Sequence, residues 1–423
     1  MKTNFTYKSI VFLGLFLSTF FYSNIATSQT LNDYFNNLQN SYTQKKYDSM
    51  LYYAKVLDEM RPNHPTVLRY LALSYSLNKQ PKKTIKTLWK LSLIYADTSI
   101  LRNDEILKPL NQFQRKNLEM LWIHKNRKVE NSKQAFLLPA RHVEGITFFQ
   151  SHNNDKVAFA CINKPAVGFK TFSDSSFVEM KMPVMNLYYV RETQKLWGVM
   201  SELENSSLYK EENKGKAAIF CMDANTNEIL FEYELSDSLD HVLGEIKQGK
   251  DGKMYCTDSQ NPIIYVWNEE TKKLEEKWTN PKWRSLQGIA FSDYGKWAFV
   301  ADYSSTIYQI NTKTGEMTAL EAPKGFSFKT TDGLYLYKNK LITIQNGTLP
   351  MRVSSFKLDM EKKKVKSGKI LEQGNNNFGE PTNGVLVGNK FRYIANSQWG
   401  NYDKENKPKE DWKPVVVLEI EIE

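Results

Sequence analysis

Glu144, Gln287, Asp332 and Asn383 each stand immediately before a glycine, and each of these pairs opens a short apolar run. Two carboxylates and two amides offer hard oxygen acceptors, and a ring of them suits Ca²⁺ or another hard divalent ion. A carboxylate beside such an ion is placed to act as general base, driving water onto an ester or lactone whose carbonyl the metal polarises. His142 and His241 lie close to two of the same positions, as further ligands or acid–base groups. A single histidine is more often a structural residue. The bland reading of the whole set is a polar plug that caps a channel.

Residues so distant in the chain meet only if a repeated unit returns each of them to one centre. Such a unit is present. Residues 288–291, 297–301 and 306–310 read as three short strands, divided by Asp293-Tyr294-Gly295 and Lys313-Thr314-Gly315 turns. The same order of entry, apolar strand, turn and apolar strand recurs at entries 143–145, 184–186, 242–244, 286–288, 331–333 and 382–384. The entries are spaced by about 41 to 58 residues, near the length of one propeller blade. The second entry lacks glycine. The expected fold is mainly β: a six-bladed β-propeller over residues 132–423, preceded by a small α-helical repeat domain over 30–131. Residues 134–138 have no hairpin partner nearby, and pairing them with 415–422 closes the ring and removes two exposed edges.

In such a ring the blade entries and the loops after the second strands converge on one mouth. Those loops are polar (Asn163, Asp258, Tyr303, Asn346, Gln398), and two long charged ones, 201–216 and 400–413, are expected to overhang it. Loops on a rigid scaffold are where binding groups are usually placed.

Ahead of the ring, residues 1–29 carry Lys2 and Lys8, an apolar stretch over 10–22 and small residues at Ala26-Thr27-Ser28, the pattern of an export leader. The apolar stretch is too short to span a bilayer comfortably, so no transmembrane segment is expected in the mature chain, which is read as periplasmic or extracellular. Over 31–97 the periodicity is helical, and Phe35, Leu38 and Tyr42 are echoed by Leu68, Leu71 and Tyr75. A period near 33 or 34 with two helices per unit resembles tetratricopeptide repeats, with an irregular helical cap as the alternative. Residues 31–133 hold 18 Lys plus Arg against 9 Asp plus Glu, so nearly all of the net charge of +10 sits on the helical part. That face suits an acidic protein partner or an anionic surface. No basic run interleaved with aromatics suggests nucleic acid. Cys161, Cys221 and Cys256 lie in or at the ends of apolar strands, and their odd number favours buried thiols.

Residues 144–423 resemble the propeller family of senescence marker protein (regucalcin), gluconolactonase and luciferin-regenerating enzyme. The resemblance rests on Glu144-Gly145-Ile146, on Gln287-Gly288-Ile289-Ala290-Phe291 and on Thr331-Asp332-Gly333. It implies hydrolysis of a sugar lactone or related ester with one divalent cation, Ca²⁺ first, with Zn²⁺ or Mg²⁺ as alternatives. It further implies Glu144, Gln287 and Asp332 as metal ligands and Asp332 as the catalytic base. His142, His241, Glu245, Asn346 and Asn383 are the residues expected to line the substrate site. Two positions depart from the family: Gln287 replaces an asparagine, and Gly244-Glu245 stands where asparagine and aspartate are usual. The competing readings are a non-catalytic propeller that binds a small ligand while the helices bind a protein, and a pure interaction scaffold in the cell envelope.

Overall fold

The computed structural model describes residues 30–422 apart from 152–153 and 172–173. The leader expected over residues 1–29 lies outside the described residues.

Helices α1 (Leu31–Thr43) and α2 (Tyr47–Met60) form one helix pair, and α3 (Pro65–Leu77) and α4 (Pro81–Ser92) form a second that begins 34 residues later. Thr30 caps α1 reciprocally with Asp33, satisfying amides that the first turn leaves unpaired. Pro65 and Pro81 open α3 and α4, where the missing N–H costs nothing. Leu38, Met50, Leu57, Leu68 and Leu88, on the inward faces of the four helices, form one core. Short α5 (Asp104–Leu107) and α6 (Gln112–Lys125) close it, bringing Ile106, Leu118 and Trp122 into the same cluster. Trp122 Nε1 is satisfied by the Asp97 carbonyl at 2.9 Å.

The remainder is a six-bladed β-propeller, each blade a four-stranded antiparallel sheet. The inner strands are Val143–Ser151, Val184–Val190, Leu243–Gln248, Leu286–Phe291, Thr331–Tyr337 and Gly384–Val387, and they contact one another in a closed circle. Lys133–Ala140 is the outermost strand of the sixth blade, paired antiparallel with Pro414–Glu421. The ring is thus closed by its own first strand, as the lone strand at 134–138 predicts. Lys133, Lys390 and Arg392 all reach Glu419 there, at 3.7, 3.0 and 2.7 Å. Alternating side chains of neighbouring sheets interlock between blades, and the three cysteines are buried and unpaired among them.

The helices are tied to the fifth blade. Buried Arg352 spans the joint, with Nε donating to Gln345 Oε1 (2.8 Å) and Nη2 to the Leu93 carbonyl (2.9 Å). The Ala96 and Leu349 amides exchange hydrogen bonds with the Leu349 and Ile94 carbonyls, and Val129 bridges Gln373. No helix among the described residues is long and apolar enough to cross a membrane.

Candidate functional site

Local backbone geometry explains why the polar residues before the glycines face the axis. The strand pairing of the first five inner strands slips between 143 and 145, 184 and 186, 243 and 245, 286 and 289, and 331 and 334. Each slip is a β-bulge, which leaves a residue out of the ladder and re-aims its side chain. The residues so released include Glu144, Met185, Gly244, Gln287 and Asp332. Asn383 sits just ahead of the sixth inner strand. Glycine follows because inner strands crowd there: a Cβ on Gly288 would lie 2.4 Å from the Leu334 amide nitrogen, and one on Gly333 2.8 Å from the Thr382 carbonyl.

Glu144 and Asp332 are close enough for the charge of Asp332 to act on Glu144. Burial raises the Glu144 carboxyl well above the usual range, and the nearby charge of Asp332 adds to the rise. Asp332 is pushed up to about 7, first by burial and then by the charges of Glu245 and Glu380. Ser397 Oγ and Trp399 Nε1 both donate to Glu144 Oε2 at 2.7 Å. Asn346 Nδ2 donates to Asp332 Oδ2 at 2.5 Å, and Tyr303 donates to Asn346 Oδ1 at 3.1 Å. The hydrogen bonds of both carboxylates therefore fall on one oxygen, leaving the other oxygen of each for a ligand. Gln287 Nε2 donates to Ser285 Oγ at 3.3 Å, which turns its Oε1 toward the space that side-chain-less Gly244 leaves. Acceptor oxygens of this kind suit a hard divalent ion in type, and water would have to supply the remaining ligands. No group of three or more His, Cys, Asp or Glu gathers within metal-holding range among the described residues.

The other expected residues have different placements. Asn346 joins the pair directly. Asn383 accepts from Tyr335 OH at 3.1 Å, and that hydroxyl in turn accepts from the Gly384 amide at 2.7 Å. His142 lies behind Trp399, with its ring edge-on to that indole at 4.4 Å and its Nδ1 on Tyr402 OH at 2.6 Å. Burial lowers it to about 3, so it is a neutral imidazole. His241 is not brought to the pair. Its Nδ1 and Nε2 are taken by Asp258 (2.6 Å) and Asp237 (2.7 Å), so both ring nitrogens serve to anchor the third blade's entry. Burial works against its charge, but the two carboxylates outweigh it and raise its pKa.

Glu245 occupies the rung that glycine fills in blades 1, 4, 5 and 6, and it is 2 % exposed. Its partner is Lys247, whose Nζ lies 2.8 Å from Glu245 Oε1. The same ammonium is 5.1 Å from the Tyr335 ring centre and 5.7 Å from that of Tyr188. Those tyrosines come from the fifth and second blades, which face each other across the ring. The ammonium therefore lies near the axis, a rung deeper than the acidic pair, and forms the floor of the mouth. Lys247, Tyr335 and Glu380 escape sequence reasoning. The one signal for Lys247 is its place two residues after Glu245 on an inner strand, which sets a lysine and a glutamate on one face.

The two long loops expected to overhang the mouth also bond each other: Asn406 bonds Asn205 (3.3 Å) and Glu204 (2.9 Å). Tyr402 and Trp412 of the second loop pack on His142.

No protein-family model matches the chain, and no curated protein matches it by sequence. Among solved structures it is similar to a luciferin-regenerating enzyme at 12 % identity and a TM-score of 0.47, over 70 % of this chain and 95 % of that one. It is also similar to the PQQ-bound aldose sugar dehydrogenase of Streptomyces coelicolor, at 10 % identity and a TM-score of 0.44, over 69 % and 97 %. A nidogen/laminin complex aligns at 14 % identity and a TM-score of 0.40, over 54 % and 80 %.

Proposed function

We propose that the propeller mouth is the site of a divalent-metal-dependent hydrolase acting on a small lactone or related ester, in an exported protein. The observation that carries this reading is that two buried carboxylates from different blades, Glu144 and Asp332, interact electrostatically and each take their hydrogen bonds on one oxygen. Glu144, Asp332 and Gln287 would hold the ion, Ca²⁺ before Zn²⁺ or Mg²⁺. When bound, it supplies Lewis-acid polarisation of the scissile carbonyl.

The chain's own groups do the rest. Asp332, whose carboxyl is raised to about 7 by burial and acidic neighbours when no ion is bound, is the group that would take a proton from water. Asn346, fixed by Tyr303, holds the Asp332 carboxylate from one side, and Trp399 and Ser397 hold Glu144. The joined loops and the Lys247 floor limit the mouth to a small molecule. A second reading, a ligand- or protein-binding scaffold without turnover, is favoured by the finding that no three His, Cys, Asp or Glu side chains gather in metal-holding range among the described residues.

The deciding experiment is hydrolysis of a panel of sugar lactones and aryl esters by the purified chain, with Ca²⁺ or with chelator. The expected result is chelator-sensitive turnover that falls by about 100-fold or more in Asp332→Asn, the contribution typical of a general base. Absence of turnover across the panel, or an active Asp332→Asn, would overturn the hydrolase and leave the scaffold.

A further inference from the structure

Charge is unevenly disposed around the mouth. The two long loops meet over the first, second and sixth blades. Over the third to fifth, a cleft of about 1510 Å³ separates the helices from the propeller. Its helical wall comes from the α2–α3 turn, α3 and α4, and its other wall from the entries and loops of the mouth, including Ser285, Tyr303, Thr330 and Gly347. Tyr303 is shared: it lines the cleft, and its hydroxyl bonds Asn346, which bonds Asp332. Tyr303 therefore stands between the cleft and Asp332, with Asn346 as the link.

The polar lining is mostly basic. Arg61, Arg69 and His64 come from the helices, and Lys282, Arg284 and Lys329 from the propeller. The acidic lining residues are Glu59 and Asp97, and Asp97 is taken by Arg69 at 3.5 Å. Arg61, Lys282, Arg284 and Lys329 have no ion-pair partner among the described residues. Arg284 instead donates to the Pro281 and Trp283 carbonyls, and Lys329 to that of Ser304. Arg61 and Lys329 reach the cleft from opposite walls; burial disfavours the Lys329 charge, Asp302 and Asp58 support it, and Arg61 opposes it more weakly, while burial and then both cations disfavour a charge on His64. His64 Nδ1 is buried without a partner at the same place. Basic side chains from two separate units outnumber the acidic ones in this lining, which suits an anionic ligand.

We propose that this cleft binds the anionic group of the mouth's ligand, a carboxylate or phosphate held between Arg61 of the helices and Lys329 and Arg284 of the propeller. The substrate class is then a small acid whose lactone or ester end reaches Tyr303, Asn346 and Asp332. The substrate part of this inference rests on the hydrolase reading, but the anion site does not. It also gives the helical unit a role as one wall of the ligand site.

Titration calorimetry with glucarate, glucose 6-phosphate and neutral glucose separates the two. Either anion is expected to bind at least tenfold more tightly than glucose, and the one that binds names the group. Arg61→Gln combined with Lys329→Gln is expected to abolish that preference, with Arg284→Gln as a separate variant should the double variant fold poorly. If lactones are turned over, the ratio of kcat/KM for an acidic lactone to that for a neutral one is expected to fall at least tenfold in the same variants. Selective anion binding that the variants lose, in a protein with no turnover, would sustain the cleft and sink the hydrolase. A wild type that binds neither anion better than glucose, or folded variants that bind like wild type, would overturn the cleft whatever the activity.

Discussion

Replacing Lys247 by methionine removes the cation at the floor of the channel but keeps most of the side-chain volume. Glu245 is then a buried carboxylate with no counter-charge. Burial already raises its pKa, and Lys247 is the influence that opposes the rise. Breaking a buried pair by removing one partner costs about 3–5 kcal/mol. The carboxyl can instead take up a proton, which sets a ceiling of about 1.4 kcal/mol per pH unit above its ordinary value of 4.5. At pH 8 that ceiling is about 5 kcal/mol, and at pH 5.5 about 1.4 kcal/mol. Lys247 keeps 16 % of its side chain exposed, which favours the lower end at pH 8, about 3 kcal/mol. The lost contacts with Tyr188 and Tyr335 add about 0.5–1 kcal/mol each at any pH. The sign follows from linkage: an acid whose folded pKa is raised contributes fully below its unfolded pKa, and that contribution is lost as pH rises through the folded value. The variant's deficit should therefore widen from pH 5.5 to pH 8. Urea unfolding of wild type, Lys247→Met and Lys247→Met with Glu245→Gln measures this directly. A deficit that is independent of pH, or one that Glu245→Gln fails to relieve, would refute the reasoning.

Other consequences can be checked alongside. In chelator, Asp332→Asn is expected to stabilise the fold by about 2–4 kcal/mol at pH 8, because the carboxylate it removes is held near 7; the gain should vanish as pH falls toward 3.8. Urea midpoints at both pH values decide it. Arg352→Ala leaves the Leu93 carbonyl and the Gln345 side-chain oxygen without their donor, at a cost of about 2–4 kcal/mol. Its signature is faster hydrogen exchange at the Ala96 and Leu349 amides, which seal the same joint. Gly288→Ala drives a Cβ against backbone that cannot yield and is expected to cost about 1–3 kcal/mol. Gly400→Ala, which meets nothing within 4 Å, should stay within about 0.5 kcal/mol. Equal thermal midpoints for the two glycine variants would count against inner-strand crowding as the reason for the glycines.

The propeller was legible because its blade entries repeat a physical necessity. A residue released by a bulge, followed by a glycine where strands crowd, reads in sequence as a polar residue, glycine and an apolar run. Glu144, Gln287, Asp332 and Asn383 could be read as blade-entry residues for that reason alone. Closure was legible because the strand at 134–138 had no local partner. What stayed hidden depends on the same geometry one rung further in. Period-2 alternation marks Lys247 as pointing away from its sheet's packed neighbour, which on an ordinary sheet means solvent. On the inner strand of a closed ring it means the axis, where the side chain must find a counter-charge. Glu245 supplies it from the rung that other blades give to glycine. The cleft was hidden for another reason: Arg61 and Lys329 belong to units with no sequence relation, and the joint that sets them face to face runs through Arg352, Leu93 and Leu349. The excess positive charge of the helices was visible as a number, but its direction was not. Part of it, through Arg61 and Arg69, lines the cleft and faces Lys282, Arg284 and Lys329 of the propeller, a placement that only the packing of the two units reveals.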